Sequence, residues 1–273
     1  MNPSSFFVGA LLALVLFRLL VSVQEHRLLY RRSATFRALP EDEGLTAEDI
    51  SFCTEDGATL HGWWFSHPAA KGVLLVCHGN AGNISDRLWI PVDLQDVPVH
   101  VFLFDYRGYG RSRGLPHEKG TGRDVRAAYE VCLQKWTGHA EPVPPVVLLG
   151  RSLGGAVALQ AVETCPVRAL ILESTFTSVL EMGQRFYPWL LPNLFCLNRY
   201  RSDLRIAGAT MPVLVAHSPE DEVVPFDMGE TLYRLAPRPW GFYRLAGCHD
   251  DAGWQSTPEY AKGLRRLIAE VLS

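Results

Sequence analysis

The sequence predicts an α/β protein with a mainly parallel sheet covered by helices on both faces. An apolar N-terminal helix precedes the sheet, and a small cap-like insertion interrupts it. Three observations predict this. Short apolar runs at 73–77, 101–104, 146–149, 169–172 and 212–217 read as strands buried on both faces. Helical patterns near 124–136, 156–162, 229–235 and 258–271 alternate with them. Glycine-bearing loops follow several of the runs. Strands that alternate with helices are joined by crossovers, which pair them in parallel.

The first element is the stretch 6–23, apolar except for Arg18 and Ser22. Its length is marginal for a spanning helix, which needs about 20 residues. Arg18 lies near one end, where its long chain can reach the interface. Arg27, Arg31, Arg32 and Arg37 follow, and no Lys or Arg precedes the stretch. The positive-inside rule then places the folded domain on the cytoplasmic side. A cleaved signal peptide and a helix of the protein's own core are the rival readings, and for the first there is no basic n-region and no A-x-A-like site. Residues 1–40 are therefore expected to be a membrane anchor with a basic juxtamembrane segment, and 41–273 the folded domain. Within that domain, 50–65 reads as a hairpin turning at Asp56-Gly57, the antiparallel start of the sheet.

The run 73–77 breaks into His78-Gly79-Asn80-Ala81-Gly82-Asn83, a loop before a helix capped by Asn83 or Ser85. The run 146–149 leads into Gly150-Arg151-Ser152-Leu153-Gly154 and then a small-residue helix. In that strand–turn–helix context Ser152 sits on a tight elbow that lifts its hydroxyl clear of the sheet edge. The helix N-terminus beside it points N–H groups at any developing negative charge. A nucleophilic serine needs a base, and the base needs an orienting acid. Asp221, in the turn after 212–217, is the candidate acid, with Glu220 and Glu222 as competitors. His249, in the loop after the strand-like 242–245, is the candidate base. His217 is its best rival but precedes the acid, against the order serine, acid, histidine. Asp250 and Asp251 are close enough to raise the pKa of a neighbouring imidazole, or are solvated loop charges. Two N–H donors are needed for an oxyanion, and Leu153 and Asn80 are the candidates. His78 reads as a hydrogen-bonder that orients its loop.

Five segments in order carry a resemblance: residues 78–83, Phe104-Asp105-Tyr106-Arg107-Gly108-Tyr109-Gly110-Arg111-Ser112, the 150–154 elbow, the 221–225 turn, and Gly247-Cys248-His249-Asp250. From about Ile50 to the C-terminus the sequence resembles the α/β-hydrolase superfamily. It is most similar to the abhydrolase-domain proteins that carry a short N-terminal membrane anchor. The resemblance implies the α/β-hydrolase fold, with Ser152 as nucleophile, His249 as base and Asp221 as orienting acid. Such proteins commonly have Asn after the catalytic histidine, where this chain has Asp250. Some relatives remove thioester-linked acyl chains from proteins and have a cysteine-rich N-terminus; this chain has no cysteine before Cys53.

A net charge of −3 over 273 residues, with no basic stripe interleaved with aromatics, argues against nucleic-acid binding. The six cysteines lack any CxxC spacing, which speaks for free thiols and against a zinc site. No metal or organic cofactor is expected. The stretch 175–205 departs from the strand–helix alternation, with prolines inside an aromatic and aliphatic run. It reads as a cap forming an acyl pocket or facing the bilayer, or as two short helices packed on the sheet. The expected function is a membrane-anchored serine hydrolase acting on an ester or thioester, of a small-molecule or lipid-like acyl substrate or an acylated protein. Amide hydrolysis is the alternative enzyme reading, and a non-catalytic membrane-tethered scaffold the alternative of another class.

Overall fold

The computed structural model describes residues 3–137 and 143–273. The chain opens with helix α1 (Pro3–Leu29), followed by β1 (Arg31–Arg32), a two-residue strand. The central sheet contains β2 (Glu48–Cys53), β3 (Thr59–Phe65) and β4 (Val73–Cys77). After β5 (Ala81–Gly82), which pairs in parallel with β1, come β6 (His100–Asp105), β7 (Val146–Arg151), β8 (Ala169–Glu173), β9 (Val213–His217) and β10 (Pro239–Arg244). The sheet order is β10-β9-β8-β7-β4-β6-β3-β2. Only the β2–β3 and β3–β6 pairings are antiparallel, as the hairpin reading of 50–65 requires.

Period-two alternation explains why the sheet is buried on both sides. Val73, Leu75 and Cys77 of β4 enter one core cluster with Val125 and Ala128 of α3 (Glu118–Lys135) and Val157 of α4 (Leu153–Ala161). Leu74 and Val76 enter the other, with Leu264 and Leu267 of α9 (Pro258–Val271). The short α2 (Trp89–Asp93) lies on this second side, and α8 (Phe226–Leu235) on the first. Helix α3 starts well before the expected 124. Its first turn is closed by an unusual cap, the His117 ring nitrogen accepting from the Gly120 N–H at 3.1 Å. An imidazole is not among the usual capping groups, so no ordinary start signal marks the helix in the sequence.

Between β8 and β9 the chain forms α5 (Val179–Phe186), α6 (Pro192–Phe195) and α7 (Ser202–Arg205). The prolines set the breaks: Pro188 and Pro192 each occupy the first turn of a short helical segment, where a missing N–H costs nothing. These helices lean on α1, with the rings of Phe17 and Phe195 edge-to-face at 5.2 Å. The stretch Phe7–Leu29 of α1 is long and apolar enough to cross a membrane, and only 6% of its apolar window is buried.

The segment after α1 is not a free appendage. Tyr30 is buried and exchanges hydrogen bonds with Asn198 and Tyr200. Ser33 donates to the Gly82 carbonyl at 3.1 Å, and the Arg37 N–H to Ser85 Oγ at 2.9 Å. All six cysteines are free.

Candidate active site

Ser152 sits between β7 and α4 at φ 52°, ψ −120°, a left-handed backbone that a side chain tolerates only when its surroundings enforce it. They do. Its N–H donates to the Glu173 carbonyl at 2.8 Å, and Thr175 Oγ1 donates to the Ser152 carbonyl at 2.6 Å. A Cβ on Gly154 would collide with the Cys77 carbonyl, and one on Gly150 with the Gly154 backbone. The two glycines let α4 pass over the ends of β4 and β7.

His249 Nε2 lies 3.1 Å from Ser152 Oγ, and its Nδ1 lies 2.7 Å from Asp221 Oδ2. Asp221 is fully buried at the side chain, and its Oδ1 accepts from the Val223 and Val224 amides at 2.9 and 2.7 Å. Burial alone would raise this carboxyl. Hydrogen bonds from His217 and His249 outweigh it and hold Asp221 well below the usual carboxylate range.

The rivals have other positions. His217 lies behind the acid, donating from Nε2 to the Val224 carbonyl at 2.9 Å, with Asp221 Oδ2 at 3.3 Å. Glu222 accepts from the His249 main-chain N–H at 3.0 Å, and Glu220 is exposed. No hydrogen bond joins the Asp250 or Asp251 carboxylate to the imidazole among the described residues; Asp251 instead accepts from Cys248 Sγ.

The loop after β4 lies beside Ser152. Its carbonyls are held by two buried tyrosines: Tyr106 Oη donates to His78 O at 2.8 Å, and Tyr109 Oη to Asn80 O at 2.9 Å. The His78 ring stacks on Tyr106 with centroids 4.3 Å apart, and its Nδ1 donates to the Gly79 carbonyl. Asn80 Nδ2 donates to the Leu28 carbonyl at the end of α1, at 3.2 Å. Asn83 caps the following turn by accepting from Ser85 N–H at 2.9 Å. Among the described residues, neither the Asn80 nor the Leu153 main-chain N–H donates to a protein acceptor. Both residues line the same cavity as Ser152.

Residues 68–207 match the family model described as serine aminopeptidase, S33. The Mycobacterium tuberculosis protein Rv2307c is 36% identical, over 96% of this chain and 94% of its own length. The chain belongs to the α/β-hydrolase superfamily. The lysophosphatidylserine lipase ABHD12 of Danio rerio is also 36% identical, over 63% of this chain and 48% of its own length. Among solved structures, the Pyrococcus furiosus esterase Pf2001 has the same fold, with a TM-score of 0.72 at 17% identity, covering 90% of this chain and 98% of its own.

In this α/β hydrolase the cavity beside Ser152 measures about 430 Å³. Its walls are mostly apolar: Val21, Leu28 and Leu29 of α1 face Phe176, Val179, Met182, Phe186 and Leu190. Three charged side chains line it. Glu25 accepts from the Leu197 and Asn198 amides, Glu222 from the His249 amide, and Arg31 has no side-chain partner among the described residues. The hydrolase also places residues to which sequence reasoning assigned no role. The Arg151 guanidinium donates to the Ala252 carbonyl at 2.5 Å and the His249 carbonyl at 2.6 Å. It lies 3.6 Å from the buried Glu173 carboxylate, which also accepts from Tyr260 Oη. Arg151 was visible as the variable residue of the elbow, but nothing in its sequence neighbourhood points to carbonyls so far along the chain.

Proposed function

We propose that this chain is a membrane-anchored serine hydrolase that cleaves a carboxylic ester or thioester of an apolar acyl group. The observation that carries the reading is the hydrogen-bonded series Ser152, His249, Asp221 at the wall of a mostly apolar cavity. Ser152 Oγ attacks the acyl carbonyl while His249 Nε2 takes its proton. Asp221 holds the imidazole tautomer and stabilises the cation that forms. The Leu153 and Asn80 N–H groups bind the oxyanion. His249 then protonates the leaving group, and water, with His249 again as base, releases the acid from the acyl-enzyme.

Residues 1–40 serve as anchor and juxtamembrane segment, and 41–273 as the hydrolase domain with 175–205 as its cap. The arginines that follow the apolar stretch favour a cytoplasmic domain. A lipid-like substrate is supported by the apolar walls, by Arg31, a cavity-lining cation with no side-chain partner among the described residues, and by the Danio relative, a lysophosphatidylserine lipase. Such a substrate has an acyl chain for the cavity and an anionic group for Arg31. The family description instead suggests amide cleavage at a peptide N-terminus. The mostly apolar walls, with Glu25 and Glu222 both held by main-chain amides, favour the ester reading.

Fluorophosphonate labelling of the detergent-solubilised protein tests this, alongside Ser152→Ala and a chain-length series of p-nitrophenyl esters and acyl thioesters. Serine-dependent labelling and turnover with a chain-length optimum are expected. Folded protein that neither labels nor turns over would support the non-catalytic scaffold instead.

A further inference from the structure

We infer that the tip of the 175–205 insertion lies in the interfacial zone of the lipid bilayer beside α1, giving the protein a second membrane contact. This rests on the reading of α1 as a membrane anchor. The tip carries Trp189, Leu191, Leu194 and Leu197, which are 67%, 49%, 70% and 52% exposed. Apolar exposure on this scale, gathered on one short segment, marks a surface with a non-aqueous partner.

The choice of partner follows from helix geometry. Phe17 already packs on Phe195, and eight residues further on Glu25 accepts from the Leu197 and Asn198 amides. The insertion therefore runs alongside α1 from Phe17 to Glu25. Ten residues of the apolar stretch, Phe7 to Leu16, precede Phe17. At 1.5 Å per residue those ten residues measure about 15 Å. The hydrocarbon core is about 30 Å thick. Counting from Pro3, the start of α1, still gives only about 21 Å. An α1 that inserts to its apolar length must bring the Phe195 region to the membrane with it.

The polar groups at the same level agree. Arg18, one residue beyond Phe17, is exposed and has no side-chain partner among the described residues, as suits a guanidinium at lipid phosphates. Trp189 stands edge-on to Tyr187 at 5.7 Å, and these are the two residue types that concentrate at membrane interfaces. The active-site cavity lies between the same two elements, so its apolar wall is continuous with this surface.

The native tryptophans provide the test. None of the seven lies in α1, and Trp189 alone lies in the insertion. The full-length protein is reconstituted into phosphatidylcholine vesicles with and without lipids brominated near the head-group end of their acyl chains. Flotation reads the anchor, and bromine quenching of tryptophan emission reads the insertion. The expected result is flotation of both proteins, with a quenched component in wild type that Trp189→Phe lacks. Flotation with equal quenching of the two proteins would put the tip in water and overturn the inference. Failure to float would remove the anchor reading and this inference together, leaving the serine chemistry untouched. A second variant reads function: Leu194→Asp is expected to lose several-fold turnover of a vesicle-embedded ester while keeping that of a water-soluble p-nitrophenyl ester. Equal turnover of both substrates would also count against the bilayer contact.

Discussion

The guanidinium of Arg151 donates to the main-chain carbonyl of His249 at 2.6 Å, joining the residue before the elbow serine to the residue whose ring faces that serine. A second bond, to Ala252 O, makes the link two-pronged, and the adjacent Glu173 carboxylate fixes the guanidinium from behind. The loop 247–252 has little regular structure of its own, and this clamp acts with the Asp221 and Glu222 bonds to hold the imidazole near the hydroxyl.

Arg151→Met therefore loosens the base without touching its ring. Charge-assisted hydrogen bonds contribute about 1.5–3 kcal/mol each. Misplacement on that scale corresponds to a fall in kcat of roughly 10–100-fold. Arg151→Lys loses the planar fork and is expected to recover only part of it. A Met variant with wild-type kcat would show that the loop holds itself.

Asp221→Asn is expected to lower kcat about 10⁴-fold with the fold retained, by analogy with the triad of serine proteases, where an amide enforces the wrong tautomer. Stability supplies an independent check. The native carboxyl titrates below its unfolded value, so its contribution is complete above the ordinary carboxylate range and is lost as pH falls through and below about 4. Melting temperature against pH should fall less steeply in acid for the Asn variant than for wild type; parallel curves would contradict the assignment of the shift to Asp221.

Gly154→Ala drives a methyl group into the Cys77 carbonyl, a backbone atom that cannot rotate away. Overpacking of this kind costs about 1–3 kcal/mol, and the elbow cannot relax without moving Ser152. A chemical denaturation midpoint equal to wild type would show that the helix–strand contact is looser than described.

Cys196 lines the cavity, where burial pushes its thiol up to about 12. The thiolate is the reactive form, so at pH 8 iodoacetamide should leave turnover unchanged while modifying the exposed Cys53. Inactivation that Cys196→Ser prevents would overturn this.

Arg31→Gln separates headgroup recognition from chemistry. For an ester bearing a phosphate or carboxylate near the leaving group, kcat/KM should fall about 5–10-fold, the loss of a partly exposed ion pair worth about 1 kcal/mol. A neutral ester of the same chain length should be unaffected. Equal losses on both would make Arg31 structural.

The candidate site was readable because each part lies at a strand end marked by its own sequence. Gly150, Ser152 and Gly154 follow an apolar run, and Asp221 and His249 each follow another. The sheet brings such ends to one edge whatever the details between them. The supports were not readable, because their partners are remote. Glu25 meets Asn198 across 173 residues, and Arg151 meets Ala252 across 101. The burial of Tyr30 beside Tyr200 is of the same kind, since no local pattern reveals it. The insertion illustrates the intermediate case. Its prolines announced a break in alternation, but its position against α1 came only from the packing of Phe195 on Phe17.

The parallel pair Arg31–Arg32 with Ala81–Gly82, and the Asn80 bond to the Leu28 carbonyl, make the end of α1 and the loop after β4 a single piece of structure. Many anchored enzymes can be shed as active soluble fragments by a cut in a slack stalk. Here there is no slack: a cut between Leu29 and Arg37 would take away one side of the loop that faces Ser152 as well as one wall of its cavity. On the proposed reading of α1 as an anchor, shedding the domain would silence it, not liberate it.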